Sequence, residues 1–384
     1  MVTYKGQRAG TLGEVGLDTR FVYDEGWSQE IACALPIGTR EHFWRGGLIP
    51  FFEHLGPEGW LRGRQARAGG TPDQDDFGLL LNYGADCIGA VGILPEDGTN
   101  VHALPDADPV EEAATAPGRT LSGVQKKWLV YRGEQGFQPA HKLEEPATHI
   151  AKFNRTDQPT LVQNEDLSLR LAREVLGKHE ITSAHLGTVR GEDGIALIVE
   201  RFDRLGTVRL RLEDFAQILE RPRGREFDGK YHSSYEEAAG VIQRFSSRAI
   251  IDLNRFFRLV AFNLVIGNAD AHLKNFSLLE REEGLRLSPS YDLLNTLVYP
   301  KYDANVALAI DGAKRPFDTL SRDLISSFGV SIGLQPRAVA SGLDQLRKRF
   351  ANAPALDFPG SVQPDDFRSR YREVVRANAE RILT

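Results

Sequence analysis

The 384-residue sequence is poor in cysteine, with only Cys33 and Cys87. Two isolated cysteines without metal-ligand spacing argue against a disulfide scaffold and against a cysteine-based zinc site. The sequence also lacks an apolar run of membrane-spanning length, and its first residues contain no signal-peptide core. These absences predict a soluble, cytoplasmic protein with no membrane partner.

An excess of positive charge is also absent. Lys and Arg number 47 against 53 Asp and Glu, so the net charge is −6, with a pI near 5.9. A broad basic face for nucleic acid is therefore not expected, while a local basic patch or a DNA-binding partner stays open. The residue balance, 41% hydrophobic and 26% charged, is that of an ordinary globular protein. The length predicts two or three subdomains.

Composition also suggests where the chain divides. A segment rich in Pro, Asp and Ala, residues 96–118, is interpreted as a linker. Residues 1–105 are predicted to form a β-rich accessory subdomain that begins with a hairpin. Residues 106–205 are predicted to form a smaller region that carries the phosphate turn and the hinge described below. Residues 206–384 are predicted to be mostly helical.

Several local patterns give more detailed expectations. Arg62, Arg64 and Arg67 favour a solvent-exposed face, and Asn164-Glu165-Asp166 is expected to cap an amphipathic helix. The Arg-, Gly- and Tyr-rich residues 221–235 are interpreted as a mobile loop. Apolar periodicity in the last third of the chain predicts helices at residues 236–246, 252–266, 317–328, 336–350 and 364–382.

The most informative segment follows an apolar helical pattern that ends at Gly267. It begins with the polar sequence NADAHLKN, residues 268–275, which contains Asp270 and Asn275. A predicted hairpin then leads to Asp292. Protein kinases use this order, with an Asp that takes the substrate hydroxyl proton and an Asn and a later Asp on Mg²⁺. By itself, the same order is also compatible with another kind of metal-binding loop.

Three weaker patterns lie upstream of this segment. Residues 120–127 contain hydroxyls, a glycine and an amide beside a strand, which is compatible with a phosphate-binding turn or with an ordinary turn. Lys152 lies on a predicted strand, where kinases keep the lysine that grips the nucleotide phosphates; an exposed edge lysine is the alternative. Glu200 and Phe202 follow the apolar run 195–199, as a hinge does, or they form a charged turn.

Together these motifs resemble the HipA family, the kinase toxins of bacterial HipA–HipB toxin–antitoxin pairs. The resemblance covers most of the chain and includes the sequences LSGVQKK, HIAKF, VERFDR, GNADAHLKNFSLL and SYDLLNT. It implies an α+β, bilobal protein-kinase-like fold with a β-rich N-terminal subdomain and a mostly helical C-terminal lobe. It also implies phosphorylation of proteins on Ser or Thr with ATP and Mg²⁺.

The resemblance assigns roles to individual residues. Asp270 matches the catalytic base, and Asn275 and Asp292 match the Mg²⁺ ligands. The ATP-binding residues that it implies are Ser122, Gly123, Val124, Gln125, Lys126, Lys127, Lys152, Glu200, Phe202, His272, Lys274, Asn275, Tyr291 and Asp292. Catalysis by such a set depends mainly on positioning and electrostatic stabilisation.

One difference from the family concerns autophosphorylation. The inhibitory phosphate of the family falls on a Ser three residues before the loop glycine, where this chain has Thr120, and Ser122 offers a second hydroxyl. A phosphate would add about −1.5 to −2 charge near Asp270 and Asp292. We therefore expect phosphorylation of Thr120 or Ser122 to expel the loop and to inactivate the enzyme.

The resemblance also implies partners. These are a HipB-like DNA-binding antitoxin, DNA contacted mainly through that antitoxin, and a protein substrate for which an aminoacyl-tRNA synthetase is a candidate. The leading hypothesis is thus a growth-arresting toxin kinase. One alternative is a catalytically weak binding module or corepressor, which the presence of Lys152, Asp270 and Asp292 disfavours. A small-molecule kinase that shares the same core stays open.

Overall fold

The computed structural model describes residues 1–96, 114–115, 118–121, 125–224, 226–300, 303–357 and 365–384. The chain divides into two compact units. The first contains Met1–Pro159 and His185–Gly229, and the second contains Thr160–Ala184 and Lys230–Thr384. None of the helices in the described part of the chain has the length and apolar character needed to cross a membrane.

The secondary structure alternates between sheets and helices along the chain. The strands are β1 (Val2–Tyr4), β2 (Gln7–Val15), β3 (Asp18–Tyr23), β4 (Glu41–Trp44), β5 (Val91–Ile93), β6 (Lys127–Gly133), β7 (Gly136–Pro139), β8 (His149–Phe153), β9 (Ala184–Gly187), β10 (Ala196–Glu200), β11 (Arg204–Leu205), β12 (Val208–Arg209), β13 (Leu212–Asp214), β14 (Ser277–Arg281) and β15 (Gly284–Leu287). The α-helices are α1 (Pro50–Glu53), α2 (Gly59–Ala68), α3 (Asp76–Tyr83), α4 (Leu161–Val175), α5 (Phe215–Ile218), α6 (Tyr235–Phe245), α7 (Ala249–Ile266), α8 (Arg322–Ser331), α9 (Pro336–Ala351) and α10 (Asp365–Leu383).

The first sheet of the first unit is antiparallel, with strand order β4-β3-β2-β1-β5. Buried and more exposed residues alternate along β3, so that Phe21 and Tyr23 point into the core. This core also contains Phe52 of α1, whose ring centroid lies 5.5 Å from that of Phe21. β1 and β2 form the hairpin that the sequence predicts at the start of the chain, so this prediction is confirmed.

The second sheet has the order β7-β6-β8-β10-β9. Four of the five residues of β10 are buried, which accounts for the apolar run at residues 195–199. β8 lies between β6 and β10, and Lys152 is in register with Lys127 on one side and Leu197 on the other. Lys152 is therefore a buried residue of a central strand, which excludes the alternative of an exposed edge lysine.

The expected solvent-exposed arginine face is wrong for Arg62. The Arg62 side chain is buried, and its Nη1 donates a hydrogen bond of 2.7 Å to Oδ1 of Asp76. The helix that supplies this carboxylate, α3, is capped by Asp75, which accepts a 2.8 Å hydrogen bond from the amide of Gly78. The burial of Arg62 depends on how α2 and α3 pack, which the pattern of α2 alone does not encode.

The five predicted C-terminal helices are present as α6 to α10 with small changes in their bounds. The largest change concerns α8. Residues 317–319 form a 3-10 turn, and α8 starts at Arg322, with Ser321 Oγ accepting the amide of Leu324 at 3.2 Å. The expected cap at residues 164–166 is wrong, because α4 begins at Leu161 and already contains these residues.

Helix α7 forms the centre of the second unit. Its phenylalanines are fully buried and contact aromatic rings from three other segments. Phe256 lies 5.1 Å from Phe276 between ring centroids, and Phe262 is stacked 5.5 Å from Phe350. Because α7 is packed in this way, its C-terminus at Gly267 gives the following polar loop a fixed origin.

Candidate active site

The polar loop after α7 begins with a left-handed turn. Gly267 has a φ of 75°, the conformation that ends many helices and that favours glycine. The amide of Asn268 donates to the carbonyl of Asn263 at 2.9 Å, and its side-chain Nδ2 donates to Asn263 Oδ1 at 2.8 Å. Both asparagines are buried. These two hydrogen bonds fix the direction in which the loop leaves the helix.

The loop itself is held by short-range hydrogen bonds. The amide of Asp270 donates to Oδ1 of Asn268 at 3.1 Å, and the amide of His272 donates to the carbonyl of Asp270 at 2.9 Å. A 3-10 turn, Leu273–Asn275, follows. Asn275 Oδ1 accepts the amide of His272 at 2.9 Å, so Asp270 and Asn275 belong to one folded loop.

The β14–β15 hairpin then returns the chain to this loop and delivers Asp292. The Nδ2 atom of Asn275 lies 3.4 Å from Oδ2 of Asp292. Asp292 has a φ of 53°, a left-handed conformation that is uncommon for residues other than glycine. The hydroxyl of Tyr291 donates to the carbonyl of Lys274 at 2.9 Å and contacts Ser277 Oγ. The structure thus brings Asp270, His272, Lys274, Asn275, Tyr291 and Asp292 together in the second unit.

The backbone on both sides of Asp292 is bonded to the region around α4. Before it, the amide of Ser290 donates to the carbonyl of Glu180 at 2.7 Å, and the amide of Thr182 donates back to Ser290 at 3.0 Å. After it, Asn164 bonds both backbone groups of Asn295, at 2.9 Å to the carbonyl and 3.0 Å from the amide. The Asn164 side chain thus satisfies the backbone carbonyl and amide of Asn295, as the backbone of an adjacent β-strand would.

These side chains suit a Mg²⁺ ion. Mg²⁺ takes hard oxygen ligands and is usually bound through one or two carboxylates together with substrate phosphates. The Asp292 carboxylate and the Asn275 amide oxygen are ligands of this kind. Asn275 Nδ2 contacts the carboxylate and Asn275 Oδ1 accepts the His272 amide, so the two side chains are close enough to share one ion. Asp292 and Asn275 are therefore the residues that could hold the metal.

The other predicted ATP-binding residues lie in the first unit. Lys152 is buried on β8, and Gln125 Nε2 donates to the carbonyl of Phe153 at 3.0 Å. The ammonium of Lys126 forms an ion pair with Glu192 at 2.6 Å, and Lys127 starts β6. Glu200 ends β10 and is exposed, and Phe202 is half-buried two residues later. Ser122, Gly123 and Val124 lie outside the described residues.

The hinge candidates flank a buried network of charges. Arg201 is bidentate to Asp203, at 3.0 and 2.9 Å, and Asp203 Oδ2 also accepts the amide of Gly89 at 2.7 Å. Arg204 donates to Asp203 at 2.7 Å and to Asp86 at 2.8 Å. Burial alone would raise the pKa of Asp203, but the guanidiniums of Arg201 and Arg204 and the Gly89 amide lower it to about 2. Residues 201–204 are thereby bonded to residues 86–89.

Comparison with protein families now identifies the chain. Residues 1–94 match the HipA N-terminal domain, and residues 119–353 match the HipA-like C-terminal domain. The chain belongs to the HipA family. The resemblance that the motifs carry is thus confirmed.

Two curated relatives align along most of the chain. A Sinorhizobium fredii protein that is named as a kinase, Y4mE, is 31% identical over 365 residues. The alignment covers 87% of this chain and 84% of the relative. The serine/threonine-protein kinase toxin HipA of Shewanella oneidensis is 28% identical over 359 residues, covering 82% and 79% of the two chains.

The fold is also that of a solved HipA. A chain in the complex of Shewanella oneidensis MR-1 HipA, HipB and operator DNA matches with a TM-score of 0.76 and 21% identity, covering 99% of this chain and 96% of that one. The predicted α+β, kinase-like fold is therefore confirmed.

Two residues of the site have no counterpart among the residues predicted from the sequence. Asn164 was expected only to cap a helix, and Tyr231, in the segment interpreted as a mobile loop, has its hydroxyl bonded to Oδ1 of Asp270. Asn164 bonds a residue 131 positions away, and Tyr231 one 39 positions away. The sequence around Tyr231 carries no signal of this contact, because its neighbours, Gly229, Lys230, His232 and Ser233, are polar or small residues typical of an ordinary loop.

Proposed function

We propose that this HipA-family chain is an ATP-dependent protein serine/threonine kinase that acts as the toxin of a toxin–antitoxin pair. The observation that carries the proposal is the cluster of Asp270, Asn275 and Asp292 in the second unit, with Asn275 and Asp292 in contact at 3.4 Å. An acid, an amide and a second acid in this order are the parts that a kinase needs for proton transfer and for holding Mg²⁺. The Shewanella oneidensis relative, named a serine/threonine-protein kinase toxin, supports the same activity.

In this proposal, the carboxylate of Asp270 accepts the proton of the Ser or Thr hydroxyl while the hydroxyl oxygen bonds to the γ-phosphorus of ATP and ADP leaves. Asn275 and Asp292 hold Mg²⁺, which when bound neutralises charge on the phosphates. Lys152 supplies a further positive charge for the phosphates. Glu200 and Phe202 are assigned to adenine, which they would bind through the backbone. The other residues assigned to ATP are Gln125, Lys126 and Lys127 in the first unit and His272, Lys274 and Tyr291 in the second.

The proposal extends to the regions and partners of the chain. Residues 1–105 would form the accessory subdomain, residues 106–205 the small kinase lobe, and residues 206–384 the helical lobe. A HipB-like antitoxin would bind the chain, and contact with operator DNA would be made mainly by that antitoxin. The composition of the Shewanella oneidensis complex supports this arrangement. The growth-arresting target would be a cellular protein, with aminoacyl-tRNA synthetases as the first candidates to examine.

The activity is tested with purified protein, radiolabelled ATP and Mg²⁺. Asp270→Asn preserves the shape of the side chain and removes the base, so we expect transfer to a protein acceptor to fall by about 10²- to 10⁴-fold. Asp311→Asn is a matched control, because Asp311 is exposed and pairs with Arg315 on the surface. Equal transfer by the parent and Asp270→Asn would refute the base assignment. Absence of transfer by the parent would favour a binding module.

The acceptor is found by phosphoproteomics after brief induction of the parent chain and of Asp270→Asn in cells. Sites phosphorylated only by the parent are expected to lie on Ser or Thr of one or a few proteins. Enrichment of a phosphorylated small molecule, with no change in the phosphoproteome, would instead indicate the small-molecule kinase.

Self-inactivation is a separate part of the proposal. Thr120 is buried, and its hydroxyl donates to Oε1 of Gln65 at 3.0 Å. A phosphate of about −1.5 to −2 charge would break the bond to Gln65 and would not fit this buried position as it stands, so we expect the phosphorylated segment to be displaced from it. We expect intact-mass spectrometry after incubation with ATP to detect one added phosphate, lost in Thr120→Ala or Ser122→Ala and absent from Asp270→Asn. A parent chain that gains no mass would contradict self-inactivation.

A further inference from the structure

The carboxylate of Asp270 needs a defined orientation to accept a proton, and its own backbone does not supply one. The hydrogen bonds of Asp270 to Asn268 and His272 involve main-chain atoms and leave the side-chain torsions unset. The side chain is half-buried. The hydroxyl of Tyr231, which donates to Oδ1, is the contact that fixes the plane of this carboxylate.

Tyr231 is in turn held by the catalytic loop. Its ring lies edge-to-face against the imidazole of His272, with 5.0 Å between the centroids and 76° between the planes. The ammonium groups of Lys230 and Lys314 each lie 5.5 Å from the centre of the same ring. Aromatic and cation–π contacts of this kind restrict where the ring can lie. The hydroxyl is therefore presented to Asp270 from a fixed position.

The backbone that follows Tyr231 is also anchored. The carbonyl of Ser233 accepts the amide of Ala309 at 3.0 Å, and the amide of Tyr235 donates to the carbonyl of Ala309 at 2.9 Å. Between them, Ser234 caps α6 by accepting the amide of Glu237 at 3.1 Å. Tyr231 thus comes three residues before Ser234, the cap of a firmly bonded helix.

We propose that Tyr231 is a positioning residue for phosphoryl transfer, an inference that rests on the kinase function proposed above. Its hydroxyl holds Oδ1 of Asp270, and Oδ2 is left to accept the proton of the acceptor hydroxyl. No bond to Tyr231 forms or breaks during the reaction. The phenol acts only by restricting the rotation of the carboxylate, which keeps it in the geometry that proton transfer requires.

The test uses Tyr231→Phe in the full chain, because this change removes the hydroxyl and retains the ring beside His272. We expect kcat to fall by about tenfold to a hundredfold, the range for one lost hydrogen bond to a charged group. The KM for ATP should stay within about twofold, since the residues assigned to ATP are untouched. Tyr235→Phe is the matched control: its hydroxyl donates to the carbonyl of Ala271 at 3.2 Å, in the same loop but not to the carboxylate. We expect it to lower the melting temperature without the loss in kcat.

Several results would overturn the inference while leaving the kinase function intact. An unchanged kcat would show that the hydroxyl is dispensable, and a higher kcat would show that it competes with the acceptor. An equal fall in Tyr235→Phe would indicate general damage to the loop. If the parent chain transfers no phosphate, the proposed kinase function fails. In that case, a crystal structure of Tyr231→Phe tests whether the Tyr231 hydroxyl orients Asp270. A rotated Asp270 carboxylate supports this role of Tyr231, and an unchanged carboxylate overturns it.

Discussion

Asp203 shows how much one buried carboxylate can contribute in this chain. It is almost inaccessible to solvent, yet it is charged, because Arg201, Arg204 and the Gly89 amide supply hydrogen bonds to both of its oxygens. A buried ion pair is often no better than well-packed apolar residues, but removal of one partner leaves the other as an unpaired buried charge. Without Asp203, the guanidinium of Arg201, whose side chain is only 1% exposed, would be such an unpaired buried charge.

We therefore predict that Asp203→Asn destabilises the protein by about 3–5 kcal/mol near neutral pH. The pKa of Asp203 is about 2 in the folded chain, against about 3.9 when unfolded. Because the folded pKa is the lower one, the stabilisation is fully present above pH 4 and is lost as the pH falls from about 4 to about 2.

Thermal unfolding of the parent chain and of Asp203→Asn between pH 2 and pH 7 checks this prediction. The difference in melting temperature should be largest above pH 4 and should shrink towards pH 2. Asp193→Asn, which changes an exposed carboxylate, serves as the control and should alter the melting temperature little. A difference between the parent and Asp203→Asn that grows as the pH falls would contradict the assigned pKa direction.

At the scale of elements, the junction between α7 and the polar loop is the critical feature. The left-handed Gly267 joins the buried helix to Asn268, and the hydroxyl of Thr296 donates to the Gly267 carbonyl at 3.1 Å and accepts the amide of Ala269 at 2.7 Å. The backbone after Asp292 is thereby bonded to the start of the loop that holds Asp270. A helix terminus thus sets the relative position of two groups that are 22 residues apart in sequence.

We predict opposite effects for two Gly→Ala changes, one directly after α7 and one within α6. At Gly267, a Cβ would lie 2.7 Å from Val374 Cγ1 and 3.0 Å from Leu297 Cδ1, in a strained left-handed conformation, so a loss of about 1–3 kcal/mol is expected. At Gly240, within α6, a Cβ meets no atom within 4 Å, so a gain of about 0.5–1 kcal/mol is expected. Urea unfolding of both variants tests the pair, and a shift of both in the same direction would refute the argument.

At the scale of the whole molecule, charge governs the encounter with nucleic acid. With a net charge of −6, the chain has no general electrostatic attraction for DNA phosphates. We predict that the chain alone shows no measurable binding to a random-sequence DNA duplex at physiological salt. Fluorescence anisotropy of a labelled duplex, titrated with the chain at low and at physiological salt, measures this. Tight, salt-dependent binding by the chain alone would show that it has a basic surface of its own.

The sequence anticipated the parts of the fold that depend on local chemistry. The apolar periodicity of α7 and the glycine that stops it are local signals, and the structure agrees with both of them. The two errors in helix boundaries, at α4 and α8, have the same origin. Because the helix propensities of the residues near a helix end differ little, a helix can begin one turn earlier or later, and tertiary packing decides at which residue it begins.

The sequence by itself determined the order of the chemical groups: the strand lysine, then the acid, the amide and the second acid. That order is written in the chain and needs no packing to be recognised. Only the tertiary structure decided that Arg62 is buried, that Asn164 bonds the backbone of Asn295, and that Tyr231 reaches Asp270. These contacts join residues far apart in sequence, and each depends on where whole elements pack. Local propensity is therefore silent about them.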